Sequence, residues 1–241
     1  MKREKLAEKQ KNRFINGIYV NREYSWLLFN KRVLDQASDL TNPVLERGKF
    51  LSIFGSNLDE FFMVRAGSLY NEMLSHPRET DNKTGLTAAK QLDGICPVVK
   101  KLYAERSAVF NNLRKDLNKN GIKILREGEL TPRQREFCEN IFTSHILPLL
   151  SLMVLDAKHP LMQFENMRNY LLYDLEKDGR RMVGVMAVNS ALDRLYRVGG
   201  GKKIKLIPLE EILRAFGHLA FIGYTVKDRL MMRVTRNADF D

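Results

Sequence analysis

At 241 residues and 44% hydrophobic composition, the chain can bury one large core or two modest ones, and domains of ordinary size predict two. The formal charge is +11, from 40 basic residues against 29 acidic, which favours a polyanionic partner through a salt-sensitive attraction without saying which polyanion. No stretch approaches the roughly 20 consecutive apolar residues of a membrane span, the basic opening MKREKLAEKQKNRF has no apolar signal core behind it, and Cys96 and Cys138 lack the spacing of a disulfide framework or thiolate metal site, so a cytoplasmic protein whose thiols are buried or inert is expected.

Residues 1–14 hold six basic side chains against two acidic ones and read as a solvated lead-in. Trp26, Phe29, Val33 and Ala37 then recur at helical spacing behind a capping Ser25, which predicts an amphipathic helix over 26–38 with Trp26 and Phe29 in the core. Asn42-Pro43 restarts the chain as cap and first helical residue of a helix over 43–54. Gly55-Ser56-Asn57 interrupts the apolar run, and Asp59 and Glu60 suit a new amino terminus, so a third helix is expected over 57–74. Arg65 lies on the apolar stripe of that helix and needs a partner or solvent; it reads as a structural anchor for Asp59 or Glu60 or as an arginine facing phosphates, and the structural role is the commoner one.

The polar stretch HPRETDNKTGL at 76–86 reads as a connection. Ile95, Val99, Leu102, Phe110, Leu113 and Leu117 then keep helical period as far as Gly121, with Pro97 predicting a kink or a late start. From residue 122 the pattern turns to mixed α and β. A short strand at Ile122 to Ile124 precedes a helix over 132–147 that opens on a Thr131/Gln134 capping box. Strands over 169–174 and 181–188 flank the turn Lys177-Asp178-Gly179, a helix follows Pro208 over 209–216, and a last strand spans 230–236 with little room for a partner. The fold class is therefore α+β: an antiparallel helical domain over 1–120, then a mixed α/β domain over 121–241 that reads as incomplete.

The runs YVNREYSWLLFNKRVLDQASD at 19–39 and NPVLERGKFLSIFGSNLDEFFMVRAGSL at 42–69, with the paired phenylalanines of NLDEFFMVR, resemble the opening domain of the polyphosphate kinases that build long chains from ATP. LPLLSLMVLDAKHP at 147–160 resembles a segment of that family's head domain, with Ser151 and Leu152 where the family has a threonine-proline pair, and MRVTRNADFD at 232–241 resembles another.

The resemblance implies a reversible transfer of the terminal phosphate of ATP to polyphosphate through a phosphorylated histidine, with magnesium. It also implies that the histidine, its acid-base partner, the phosphate-gripping arginines and the metal ligands lie in carboxy-terminal domains to which nothing here corresponds. No catalytic or metal-binding residue is therefore assigned to this chain. One ATP-binding residue carries over: the asparagine of NLDEFF, here Asn57, whose carboxamide offers donor and acceptor to a purine. The expected partners are ATP and ADP, inorganic polyphosphate, and further copies of the chain through the head domain, with no nucleic acid. The long helix from about 98 to 120 links the two domains.

Taken without the family, Asn57 also suits a helix cap, and both roles stand open. His76, His145, His159 and His218 have no carboxylate motif beside them and read as structural or solvated. Gly199-Gly200-Gly201-Lys202-Lys203 lacks the following helix of a phosphate loop and reads as a basic hairpin tip before the strand IKLIP. Two other functions fit the charge or the length: a basic helical nucleic-acid or ribosome-binding protein, and a natural non-catalytic partner of a full-length kinase. The first calls for exposed aromatics on a basic face.

Overall fold

The computed structural model describes residues 20–156 and 162–238. The lead-in at 1–14, His159 and Pro160 lie outside the described residues. The chain divides into two compact units, Met1–Lys115 with Thr235–Asp241, and Asp116–Val234.

In the first unit, helix α1 (Arg22–Ser38) begins a turn earlier than its apolar spacing suggests. Asn21, not Ser25, caps it: Oδ1 of Asn21 accepts from the amides of Glu23 at 2.9 Å and Tyr24 at 3.4 Å. The buried stripe is Glu23, Leu27, Asn30, Leu34 and Ala37, one helical step away from the expected one. Trp26 is consequently half-buried and Phe29 is 45% exposed, which corrects their assignment to the core.

Helix α2 (Val44–Glu60) has Pro43 at its cap position, while the Asn42 carboxamide donates back to the carbonyl of Gln36. Its buried residues Arg47, Leu51, Phe54 and Leu58 repeat the spacing of the α1 stripe, so the two helices pack as an antiparallel pair. Full burial of Leu27, Leu34, Phe54 and Leu58 contributes about 1.5–3 kcal/mol each relative to exposure.

The break expected at Gly55-Ser56-Asn57 is absent. The chain continues helically through Glu60, widens into a π-helical turn over Phe61–Ala66, and resumes as α3 (Gly67–Ser75). Asn57 is thus an interior helical residue and caps nothing, because the packing of Phe54 and Leu58 outweighs the local breaking tendency of glycine.

Helix α4 (Ala88–Lys119) runs through Pro97 without a late start. Val109, not the 38%-exposed Phe110, fills the buried stripe between Leu102 and Leu113. Asn21 donates to Gln91 at 2.8 Å and Lys31 pairs with Glu105 at 2.8 Å, so α4 runs parallel to α1. Asn237 returns to this unit and packs its carboxamide against Gly67.

The second unit holds two sheets. Strand β1 (Ile122–Ile124) pairs parallel with β6 (Ile204–Pro208), which pairs antiparallel with β5 (Leu195–Arg197). Residues 199–203 join β5 to β6, so the glycine-lysine run is a hairpin tip, as its sequence suggests. The other sheet is antiparallel in the order β2 (Ser151–Leu155), β4 (Arg180–Ala187), β3 (Asn169–Lys177), β7 (Thr225–Arg233). The last strand therefore has a partner, β3, at the edge of an existing sheet. Asp178 at φ +51° and Gly179 at φ +72° make the tight turn between β3 and β4 that Lys177-Asp178-Gly179 foretold.

The Thr131/Gln134 capping box opens α5 (Pro132–Ile141), which passes into a π-helical turn at Phe142–Ile146. Helix α6 (Leu209–Phe216) places Leu209, Ile212, Leu213 and Phe216 in one core with Leu171, Tyr173, Leu175 and Met186 of the sheet. The Tyr173 hydroxyl donates to the Leu213 carbonyl at 3.0 Å, and burial pushes its pKa well up.

Gly217 ends α6 with an ordinary backbone, yet a Cβ there would lie 2.0 Å from the Tyr173 hydroxyl. Gly217→Ala is expected to cost about 1–3 kcal/mol by overpacking, read as a lower urea midpoint. Tyr173→Phe in the same background recovers part of the loss.

The two thiols differ: Cys96 is exposed, whereas Cys138 is buried and its pKa is pushed up to about 11 by desolvation. A thiol reagent applied to the native protein at neutral pH modifies Cys96 and spares Cys138 until the chain is unfolded. Peptide mass spectrometry reads the pattern, and equal native labelling of both sites contradicts this core.

Candidate functional site

A cleft of about 410 Å³ opens in the helical unit, lined by Arg22, Trp26 and Phe29 of α1, Asn57 and Glu60 of α2, Phe61, Val64 and Arg65 of the π-helical turn, and Ser68 of α3. Its size lies in the range of small-molecule sites. The π turn positions the wall. One extra residue per turn shifts the face of everything after it, and such turns recur at functional sites. Phe61 is buried and stacks on Trp26 with ring centroids 4.7 Å apart, so the indole is held as a rigid surface beside the opening.

Beneath the rim sits Glu23, fully buried in the first turn of α1. One carboxylate oxygen accepts from Nε of Arg22 at 2.7 Å and the other from Nη1 of Arg65 at 3.4 Å. A buried carboxylate is costly unless so answered, and here it anchors two arginines whose outer faces remain in solvent. Arg65 therefore pairs with Glu23 across the helices instead of Asp59 or Glu60 in its own turn, and its guanidinium lies 6.0 Å from the Trp26 ring centroid.

Asn57, the one binding residue carried over from the sequence, is half-buried and lines this cleft. Its Nδ2 donates to Oδ1 of Asn30 at 3.0 Å, and Nδ2 of Asn30 donates to the Phe54 carbonyl at 3.2 Å. Asn30, Glu23 and Arg22 escape a reading based on motifs. A signal was present, because Asn30 falls between Leu27 and Leu34 on the buried stripe, where a polar residue needs a reason.

The other sequence candidates do not gather. His76, His145 and His218 are all exposed, His159 lies outside the described residues, and among the described residues no three His, Cys, Asp or Glu side chains come together as metal ligands. A larger groove of about 820 Å³ lies on the outer face of the four-stranded sheet and is lined mainly by apolar side chains, among them Leu155, Phe164, Leu172, Val183 and Leu230. Its charged lining is Asp156, Asp174, Arg181, Asp228 and Arg229, with Asp174 paired to Arg181. The exposed aromatic Phe29 has Arg32 5.8 Å from its ring centroid. No helix of the described residues is long and apolar enough to cross a membrane.

Comparison with known proteins bears on this arrangement. The family model for the polyphosphate kinase N-terminal domain matches residues 19–125, and that for the polyphosphate kinase middle domain matches residues 133–241. Polyphosphate kinases of Bacillus anthracis and Bacillus cereus are each 42% identical over 229 residues, covering 92% of this chain and 33% of the relative. That of Halalkalibacterium halodurans is 40% identical over 229 residues, covering 92% of this chain and 32% of its own. The crystal structure of polyphosphate kinase from Porphyromonas gingivalis superposes with a TM-score of 0.80 at 28% identity, over 93% of this chain and 34% of that one. The chain thus spans about a third of the length of the curated relatives it matches. With both family models matched in order and the α+β architecture shared, the chain belongs to the polyphosphate kinase family and spans its N-terminal and middle domains.

Proposed function

We propose that this chain supplies the nucleotide-base side of the ATP pocket and an assembly surface to a polyphosphate kinase that reversibly transfers the terminal phosphate of ATP to polyphosphate through a phosphohistidine. The observation that carries the reading is Asn57 beside the stacked Trp26 in an apolar-walled cleft with two anchored arginines at its rim. An aromatic face takes a purine by stacking, a carboxamide reads its polar edge, and cationic groups nearby favour the phosphates that follow the sugar. The phosphorylated histidine and the groups that bind magnesium lie, on this reading, outside these residues. The described residues offer no cluster of side chains fit to hold the metal.

Assembly falls to the outer face of the four-stranded sheet. Met153, Val183 and Leu230 remain 44%, 44% and 62% exposed there, although strands β2, β4, β3 and β7 already bury their opposite face. A second copy of the chain is the partner proposed, since antiparallel sheets otherwise keep one face polar. Long polyphosphate and the cytoplasm are the proposed substrate and compartment, consistent with the excess positive charge.

Trp26 is the chain's sole tryptophan, so its fluorescence reports the cleft directly. Titration with ATP changes that emission, and Phe29→Ala, which removes an aromatic wall, weakens the apparent affinity by about 1–3 kcal/mol. Unchanged emission at millimolar ATP sinks the pocket assignment. The isolated chain takes no label from γ-labelled ATP, while a carboxy-terminal half supplied in trans does; acid-labile label on this chain alone overturns the division of labour. For assembly, Leu230→Asp lowers the sedimenting mass relative to the unsubstituted chain, and a chain that is already monomeric at high concentration contradicts the sheet-face contact.

A further inference from the structure

We infer that Asn30 is a positioning residue that orients the Asn57 carboxamide so that the cleft presents a hydrogen-bond acceptor, selecting a purine that carries a 6-amine. The inference rests on the nucleotide reading above and adds to it the polarity of the contact.

The orientation follows from a chain of obligations that starts at the backbone. The Phe54 carbonyl can only accept, so the group of Asn30 that approaches it at 3.2 Å must be the amide nitrogen. That leaves Oδ1 of Asn30 facing Asn57 at 3.0 Å. An oxygen turned toward it there would repel, so Asn57 must turn its own nitrogen inward. Asn30 is fully buried within the α1–α2 seam and has no room or solvent to reverse the arrangement.

Asn57 is therefore left with Oδ1 uncommitted on a half-buried side chain that lines the cleft. No protein group among the described residues bonds to that oxygen, and it is not one of the buried unpartnered atoms, so it is reachable by a ligand. A freely turning asparagine would read either pole of a base. This one offers the acceptor only. The adenine base has one donor group, the 6-amine, and a 6-oxo purine puts an acceptor in its place. A site that pairs with the donor rejects the analogue that lacks it, because the acceptor then loses its hydrogen bond on ligand binding.

The test compares ATP with purine riboside 5′-triphosphate, identical except that hydrogen replaces the amine, by calorimetric titration of the full chain. The analogue is expected to bind about tenfold more weakly, the fold-change of one lost hydrogen bond. Asn57→Ala brings ATP down to the level of the analogue. Asn30→Ala frees the Asn57 amide to turn its nitrogen toward the ring acceptor, and the ratio falls below about threefold while both nucleotides still bind, an effect that a purely structural role for Asn30 does not produce. Circular dichroism checks that this buried substitution folds; if it does not, the ratios in the unsubstituted chain and in Asn57→Ala decide. Equal binding of the two nucleotides by the unsubstituted chain overturns the inference and leaves the ATP pocket standing. Binding of neither overturns the pocket, and the inference with it.

Discussion

The helical unit depends on a seam between α1 and α2 in which buried polar groups are each answered by the opposite helix. Asn30 reaches the carbonyl of Phe54 and the amide of Asn57, and Nε of Arg47 donates to the carbonyl of Ala37 at 2.9 Å. The leucines and Phe54 supply most of the free energy of this contact, but they are non-directional. The polar bonds set the register, since a slip of one turn would strand a buried carboxamide and a buried guanidinium at a cost of several kcal/mol.

The cleft is a by-product of that register and of the π-helical turn that follows it. Were residues 61–66 α-helical, the side chains from Phe61 onward would point elsewhere, and Arg65 would not meet Glu23. Glu23 serves both sides of the arrangement. It sits where a carboxylate favours the start of α1, and it holds two arginines at the rim while leaving their outer faces wet. Asn21 extends the same economy, capping α1 with its oxygen and tying it to α4 through Gln91 with its nitrogen.

The second unit is organised around a different constraint. Its four-stranded sheet packs one face on α6 and the π turn after α5, with Tyr173 wedged against Gly217, and carries Tyr170, Val185 and Ala187 as a smaller cluster on the other face. Phe164 covers one end of that cluster, edge to face on Tyr170 at 5.0 Å. The remainder stays open as the larger groove, which is why assembly, not chemistry, is the role proposed for this unit.

Much was readable from the chain alone. The resemblance over residues 19–69 identified the family, and local chemistry located the capping box at Thr131, the Asp178-Gly179 turn and helix α6 between Pro208 and Gly217, because each is decided within four or five residues by backbone preference and a side-chain cap. Tertiary structure decided the rest. Glycine at 55 marked a break that packing overrode, the stripe of α1 rotated to bury Asn30 in place of Phe29, and the partner of Arg65 came from a helix forty-two residues earlier. The polarity of Asn57 is the sharpest case: its identity is written in the sequence, but which end of its carboxamide faces the cleft depends on a backbone carbonyl and a second asparagine that only the packed helices bring together.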